Sequence, residues 1–255
     1  MKPAAFDYVA PATVEEALAA LGEDACVLAG GQSLVPLLNQ RLVRPARVVD
    51  INRIPGLGVL RRRDGTLRIG ATVRQAALER SALVAQRWPL LAQAVRHVGH
   101  HATRARGTVA GSVAHGDPRA QLPAALTALD ARLELRSAAG GRTAAAGEFD
   151  APAPDEILLE IHVPAPAIGA RTAFVQYART RGEFPRAGVA VVLARGHAAV
   201  AVLGAGRASA AEAALVDGAG AREAAALAAE SVDGAHRRAL VEELTRRALV
   251  EAGRP

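Results

Sequence analysis

The chain has 255 residues, enough for about two or three small domains with a sizeable core. Hydrophobic residues make up 51% and charged residues 22%, as in ordinary globular proteins, and no apolar run approaches the ~18 residues of a membrane span. The net charge is +6, but the 31 basic residues are spread along the chain among acidic ones, and aromatic residues make up only 3%. This excludes the clustered, ring-bearing surface of a nucleic-acid-binding protein. The first ten residues lack the features of a secretory signal, so we expect a cytoplasmic protein.

The amino-terminal part predicts a β-α-β unit of about 55 residues. Its evidence is a capping box at residues 13–16 (TVEE) before a short helix, a buried strand at 26–29, a helix capped by Ser33, and a second strand at 47–51.

A second group of elements follows up to a proline-rich segment at residues 164–166. We expect a hairpin at 59–71 that turns at Asp64-Gly65, a helix capped by Thr72, a helical stretch at 82–98 interrupted at Pro89, a structured loop at 104–116, a helix opened by Asp117-Pro118, and strands at 132–136 and 156–163. The Pro/Gly segment that closes this group is the best candidate for a domain boundary.

Strands at 174–178, 189–193 and 198–203, followed by helices, predict a small α+β domain at the carboxyl end. Residues 198–206 also resemble the start of a dinucleotide-binding Rossmann motif. Ser209 stands where the third small residue belongs, and too little chain follows it for the rest of such a domain. We therefore interpret this segment as a strand and a turn.

The strongest chemical signal is Ala29-Gly30-Gly31-Gln32-Ser33-Leu34, which we call the first glycine segment. Paired glycines between a strand and a helix allow close approach of a ligand to the backbone, and their N–H groups suit a pyrophosphate. The alternative is a tight strand-to-helix turn with no ligand, because short glycine motifs often occur by chance.

A second glycine segment, residues 106–118 (RGTVAGSVAHGDP), starts about 75 residues after the first and leads into another predicted helix. Two such segments could hold both ends of a long dinucleotide. The alternative is a surface loop, but residues 107–114 contain no charged side chain that would favour solvent exposure.

Other reactive residues give weaker signals. His97, His100 and His101 have helical spacing, yet no cysteine or carboxylate ligand accompanies them, so we expect no metal site. No side chain is predicted to be catalytic, because the sequence offers neither a nucleophile elbow nor an acid–base pair. Cys26 is the single cysteine, whereas a [2Fe–2S] cluster needs four ligands, so any such cluster belongs to another chain.

Three stretches, AGGQSLVPLLNQRL…VVDINRI, RGTVAGSVAHGDPRAQLPAAL and RGEFPRAGVAV, occur in the order found in one family. They resemble the medium, FAD-binding subunit of molybdenum hydroxylases, a group that includes the flavoprotein subunits of carbon monoxide dehydrogenase and xanthine dehydrogenase. The likeness extends over nearly the whole chain, including its last helix.

The resemblance implies an α+β fold. It consists of a two-lobed FAD-binding domain of the vanillyl-alcohol-oxidase (PCMH) type at residues 1–168, with lobes of about 1–55 and 56–168, and a small α+β domain at 169–255. It also implies FAD contacts for Ala29, Gly30, Gly31, Gln32, Ser33 and Leu34, for Thr108, Val109, Ala110, Gly111 and Ser112, for Asp117, Gln121 and Leu158, and for Gly182, Glu183 and Phe184.

The same resemblance implies partners: a small [2Fe–2S] subunit and a large molybdopterin subunit, in a heterotrimer or its dimer. Electrons would pass from the partner's clusters through FAD to NAD+, a quinone or oxygen, with the substrate set by the partner. Two other functions stay open, a standalone FAD-dependent oxidoreductase and a non-catalytic assembly protein that has lost FAD.

The sequence departs from the family pattern at four positions. Ala110 stands where the family has the first of two glycines, Ala105 replaces an asparagine, Glu183 replaces an aspartate and Pro185 replaces a small residue. The methyl group of Ala110 would therefore lie against the pyrophosphate or be absorbed by a small shift of the backbone.

Overall fold

The computed structural model describes residues 2–253, and within them the chain forms three separate β-sheets surrounded by helices. No helix in this range is both long and apolar enough to cross a membrane.

The first sheet is parallel and contains β1 (Asp7–Val9), β2 (Ala25–Leu28) and β3 (Arg47–Asp50) in the order β1-β3-β2. Helices α1 (Val14–Ala19) and α2 (Leu34–Asn39) connect the strands. The predicted helix start at Thr13 is confirmed, because its side chain accepts the N–H of Glu16; the Glu16 carboxylate accepts the N–H of Ala12, one residue before the N-cap, rather than that of Thr13. The predicted β-α-β unit is confirmed.

The second sheet is antiparallel, in the order β4-β5-β8-β6-β7. Its strands are β4 (Leu60–Arg63), β5 (Thr66–Gly70), β6 (Arg132–Ser137), β7 (Gly140–Ala145) and β8 (Ile157–Pro164). The predicted hairpin turn is confirmed, since Asp64 and Gly65 both have positive φ, as the two central residues of a type I′ turn require. The strand β7, which the sequence did not predict, pairs with β6 along its whole length.

Six helices lie between β5 and β6 along the chain. They are α3 (Gln75–Arg80), α4 (Ala82–Arg87), α5 (Pro89–Val95), α6 (His101–Arg106), α7 (Val109–Ala114) and α8 (Gln121–Ala128). All but α6 contribute hydrophobic residues to the large core that contains the second sheet. The break at Pro89 is confirmed, because the proline occupies the first position of a new helix.

Three local predictions in this region are wrong. Thr72 caps no helix: its N–H bonds to the carbonyl of Leu57, and α3 begins only at Gln75. Residues 104–116 are not a loop but contain the end of α6, a break at Gly107 and all of α7. Asp117 does not open α8, since its carboxylate accepts the N–H of Arg119 in a turn that delays the helix.

The third sheet is antiparallel and contains β9 (Arg171–Tyr177), β10 (Ala187–Ala194), β11 (His197–Val202) and β12 (Gly206–Arg207). Helices α9 (Ser209–Val216), α10 (Ala221–Ala229) and α11 (Ala235–Gly253) pack on one face. Because β11 is antiparallel to both its neighbours, the segment that resembled a Rossmann motif is not one.

The third sheet joins the rest of the molecule through its other face. Along β10 the side chains alternate: Val189 and Val191 pack with the carboxyl-terminal helices, whereas Ala190 and Val192 belong to the large core that contains the second sheet and α8. The architecture is α+β, as predicted.

Candidate functional site

The two glycine segments, separated by about 75 residues of chain, lie in direct contact. A Cβ atom added to Gly30 would lie 2.7 Å from the carbonyl oxygen of Arg106, 2.8 Å from the Cα of Gly107 and 2.8 Å from the nitrogen of Thr108. Only a glycine fits between these backbone atoms, because real Cβ atoms do not approach other heavy atoms so closely. The site thus consists of two backbone segments packed against each other.

The first glycine segment runs from the end of β2 to the start of α2. Gly31 makes the turn with a φ of 72°, in the region that glycine adopts without strain. Ser33 occupies the cap position of α2, as predicted, but its side chain forms no capping hydrogen bond.

Both segments present backbone N–H groups that have no acceptor within residues 2–253. They belong to residues 30–34 in the first segment and to residues 108 and 110 in the second. Unpaired N–H groups cost free energy when they are removed from water without an acceptor. Their convergence where Gly30 meets Thr108 fits an anion with several oxygen atoms, such as a diphosphate.

The second glycine segment is held by its own helix cap. The Thr108 hydroxyl accepts the N–H of Gly111 at 3.0 Å, and a Cβ on Gly111 would lie 2.5 Å from that hydroxyl oxygen. Gly111 is therefore required by the cap itself. Ser112 follows in the first turn of α7 and is half-buried.

Ala110, the main departure from the family pattern, is 3% exposed and belongs to the large hydrophobic core together with Val109 and Val113. The core therefore takes up most of the alanine's surface, while its N–H group is one of the unpaired donors.

Two residues that the sequence analysis did not select connect the segments. Asn52 donates from its Nδ2 to the carbonyl of Ala29 at 2.7 Å and accepts from Arg74 at 2.6 Å through its Oδ1. The same guanidinium donates to the carbonyl of Arg106 at 2.6 Å. The only signal in the sequence was the position of Asn52 directly after a strand, inside the stretch VVDINRI that resembles the family.

Asp50 orients Asn52. One carboxylate oxygen of Asp50 accepts both the backbone and the side-chain N–H of Asn52, and the other accepts the hydroxyl of Tyr8 at 2.6 Å. Burial alone would raise the pKa of Asp50, but these hydrogen bonds lower it below its ordinary value. Asp50 is therefore a carboxylate at neutral pH.

Arg119, directly after the second glycine segment, links two of the predicted site residues. It donates to both carboxylate oxygens of Asp117, at 3.0 and 2.8 Å, and its guanidinium carbon lies 4.4 Å from the ring centroid of Phe184. The hydrogen bonds from Arg119 lower the pKa of Asp117. Arg119 therefore connects Asp117, in the turn before α8, to Phe184, in the loop between β9 and β10 of the third sheet.

A cavity of about 660 Å³ opens at this meeting point. Four arginines, one carboxylate and one aromatic ring are prominent in its wall: Arg119, Arg179, Arg186, Arg237, Glu183 and Phe184. Phe184 is 49% exposed, so its ring is available for stacking. The excess of positive charge favours a ligand that carries negative groups.

The remaining predicted site residues are placed differently. Gly182 has a φ of 88° and packs against the ring of His100, so it joins the third sheet to the start of α6. Gln121 is 3% exposed and donates hydrogen bonds to the carbonyl of His97 and to the side chain of Gln176. Because Gln121 begins α8 and Gln176 lies in β9, this contact also joins a helix of the large core to the third sheet. Leu158 is 4% exposed in the large core. Of these three, Leu158 shares that core with Val109, Ala110 and Val113 of the second glycine segment.

The histidines with helical spacing do not gather as metal ligands within residues 2–253. The one group of potential ligands there is Glu134, Glu160 and His162 on the second sheet. Arg68 already donates to Glu160 at 2.9 Å and supplies positive charge to that group. His97 instead stacks on Phe174 at the interface with the third sheet.

Comparisons with known proteins agree with a dinucleotide site at the glycine segments. Residues 4–166 match the model of the FAD binding domain in molybdopterin dehydrogenase. The chain is 40% identical to the 6-hydroxypseudooxynicotine dehydrogenase complex subunit alpha of Paenarthrobacter nicotinovorans, over 85% of this chain and 80% of the relative. It is 34% identical to the nicotine 6-hydroxylase medium subunit of the same organism, over 99% of both chains.

Among solved structures, the chain is similar to a carbon monoxide dehydrogenase from Hydrogenophaga pseudoflava that lacks the Mo-pyranopterin moiety of the molybdenum cofactor. The two superpose with a TM-score of 0.92 and 36% identity, over 99% of this chain and 98% of that one. At this identity and coverage, the likeness extends to the whole fold, including the third sheet.

Proposed function

The chain belongs to the family of FAD-binding domains in molybdopterin dehydrogenases, as its motifs predicted, and we propose that it is the electron-transfer subunit of a molybdenum hydroxylase. It is an oxidoreductase component with FAD as its cofactor. In this proposal the chain itself binds no substrate of the complex; it receives electrons from a partner's iron–sulfur clusters.

The observation that carries the proposal is the convergence of the two glycine segments. Their unpaired N–H groups, at residues 30–34, 108 and 110, would donate hydrogen bonds to the diphosphate of FAD. The remaining predicted contacts of these segments, Val109, Gly111 and Ser112, would shape the second segment around the adjacent sugar. Bound FAD supplies the chemistry, since a flavin exchanges electrons singly with iron–sulfur clusters and in pairs with a hydride acceptor.

The isoalloxazine end of FAD is proposed to extend toward the cavity between the turn at Pro118-Arg119 and the carboxyl-terminal domain that contains the third sheet. Asp117, Glu183 and Phe184 line or border this cavity, and Phe184 offers an exposed ring for stacking. Gly182 packs against the ring of His100 and thereby supports the loop that carries Glu183 and Phe184. Contacts of Gln121 and Leu158 with FAD remain predictions.

Partner subunits are part of the proposal because this chain lacks the ligands for a cluster. It has one cysteine, and a [2Fe–2S] cluster needs four ligands. One relative is named as a subunit of a dehydrogenase complex and another as a medium subunit. We therefore propose a small [2Fe–2S] subunit and a large molybdopterin subunit as partners, with NAD+, a quinone or oxygen as the electron acceptor, in the cytoplasm.

The proposed domain division follows the same reasoning. The family match ends at residue 166, and the third sheet begins at Arg171, so a boundary near residue 168 separates an FAD-binding domain from the carboxyl-terminal domain. The lobes of the first domain would be residues 1–55 and 56–168. One hydrophobic cluster is centred on the first sheet but also includes Leu57, Ala71 and Ile157, so the two proposed lobes would share a core.

The test is purification of the tagged full-length chain from its native host, followed by flavin and metal analysis. We expect FAD bound to this chain, together with iron and molybdenum in co-purifying subunits. If no iron- or molybdenum-bearing partner is recovered and the isolated chain turns over a substrate, the chain is a standalone flavoenzyme. Protein that stays colourless after addition of FAD would instead be an assembly protein.

A further inference from the structure

Arg74 bonds directly to the second glycine segment and is connected to the first through Asn52. Its backbone pairs with the second segment, because the N–H groups of Gln75 and Val109 bond across the bridge between Arg74 and Thr108. Its side chain then turns toward the first segment. One nitrogen of the guanidinium donates to the carbonyl of Arg106, and the other donates to Asn52.

Asn52 completes the connection, because its amide both accepts from Arg74 and donates to the carbonyl of Ala29. The side chains therefore form a continuous chain of hydrogen bonds from Ala29 at 2.7 Å, through Asn52 and Arg74 at 2.6 Å, to Arg106 at 2.6 Å. We call this chain of contacts the Asn52–Arg74 link. It ends on the carbonyls that directly precede Gly30 and Gly107.

Asn52 is held by a further contact, and Arg74 donates to two neutral acceptors. The Asp50 carboxylate accepts two hydrogen bonds from Asn52, at 2.9 Å from the backbone and 2.6 Å from the side chain. Arg74 has no carboxylate within ion-pair distance among residues 2–253, so its guanidinium bonds only to neutral acceptors there. A planar guanidinium can donate in two fixed directions at once, which an ammonium group cannot do.

We infer that Arg74 and Asn52 are positioning residues that set the separation of the two glycine segments, so that the segments bind the FAD diphosphate as a single site. This inference rests on the proposed function, because it concerns the same cofactor site. The physical reason is the short reach of N–H···O bonds. Donors on two separate segments can act on one diphosphate only while the distance between the segments stays within a few tenths of an ångström.

The experiment compares Arg74→Lys, Asn52→Ala and the double variant with the wild type as full-length, deflavinated chains. FAD is titrated while flavin fluorescence is recorded, and the thermal midpoint of each FAD-free chain is measured. Arg68→Lys serves as the matched control, since Arg68 is also a half-buried arginine with a hydrogen-bonded partner but lies away from the segments.

We expect each single variant to raise the Kd for FAD about tenfold, and the double variant to raise it by no more than one of them alone. The control is expected to leave the Kd unchanged. Losses of FAD affinity that do not add up in the double variant indicate that the two residues act together. If the thermal midpoints stay close to that of the wild type, these losses come from positioning and not from general destabilisation. If one variant does not fold, the other still provides the comparison with the control.

The inference is overturned if Arg74→Lys binds FAD as tightly as the wild type, because the charge alone would then suffice. It is equally overturned if the losses of the two single variants add up in the double variant. Failure of the wild-type chain to bind FAD at all would contradict the proposed function, whereas tight binding by the wild type and all variants contradicts only this inference.

Discussion

Gly30 and Gly107 touch through their backbones, and the space between them is too small for a side chain: a Cβ on Gly30 would lie 2.8 Å from the Cα of Gly107. The contact joins the segment that follows β2 to the segment between α6 and α7. We therefore predict that Gly30→Ala pushes the segments apart. Overpacking of this kind costs about 1–3 kcal/mol of stability, and the Kd for FAD should rise at least about tenfold. Calorimetric titration of the deflavinated chain measures the second effect.

Gly22→Ala is the control for this substitution. Gly22 has an ordinary φ, and a Cβ there would meet no heavy atom within 4 Å. We expect the control to bind FAD as the wild type does. Equal affinities of Gly30→Ala and Gly22→Ala would show that the contact between the segments is not part of the FAD site.

Ala110 is the position at which the sequence departs most clearly from its family, and its burial predicts that the departure is harmless for binding. We expect Ala110→Gly to leave the affinity for FAD unchanged, because the alanine is 3% exposed in the hydrophobic core. Stability should fall by about 1–2 kcal/mol through loss of the buried methyl group and of helix propensity in α7. Urea unfolding and FAD titration of the same preparation test both parts; a marked gain in affinity would show that the methyl group does crowd the cofactor.

The sequence predicts the parts of this site that are determined by residues close together along the chain, and misses those that depend on residues far apart. The first glycine segment was found because its strand, its turn at Gly31 and its helix are encoded within about ten neighbouring residues. In contrast, the end of α6 and all of α7 were predicted as a structured loop. Each has only six residues, too few to show a helical period, and α7 is stabilised mainly by burial of Val109, Ala110 and Val113.

The Asn52–Arg74 link could not be predicted at all from local patterns. Asn52 and Arg74 are 22 residues apart, and their other partners, Ala29 and Arg106, lie 23 and 32 residues away from them along the chain. Hydrogen bonds of this kind form only once segments distant along the chain have packed together, so neither residue type nor spacing predicts them.

A pH-dependent contribution to stability is predicted for Glu79, which forms a two-pronged ion pair with Arg104 of α6 at 2.8 and 3.0 Å. The hydrogen bonds from Arg104 lower the pKa of Glu79 below its ordinary value of 4.5. The pair therefore stabilises the fold fully above pH 4.5, and its contribution is lost as the pH falls through the lowered pKa. We expect Glu79→Gln to lose about 2 kcal/mol at pH 7 and progressively less in acid.

Unfolding by urea at a series of pH values measures this difference. Glu243→Gln removes an exposed ion pair on α11 and is the control, for which solvent screening predicts a much smaller loss at pH 7. A difference between wild type and Glu79→Gln that stays constant from neutral to strongly acidic pH would contradict the assigned role of the carboxylate.

The single cysteine gives the last prediction, which concerns the complex as a whole. Cys26 lies in β2 of the first sheet, and burial raises the pKa of its thiol, which disfavours the thiolate that iron requires. We therefore expect Cys26→Ala to leave the iron content of the purified complex and its iron–sulfur absorbance unchanged, with FAD still bound to this chain. Loss of iron from the complex in this variant, at unchanged recovery of every subunit, would mean that the chain contributes a cluster ligand and would refute the division of cofactors among the subunits.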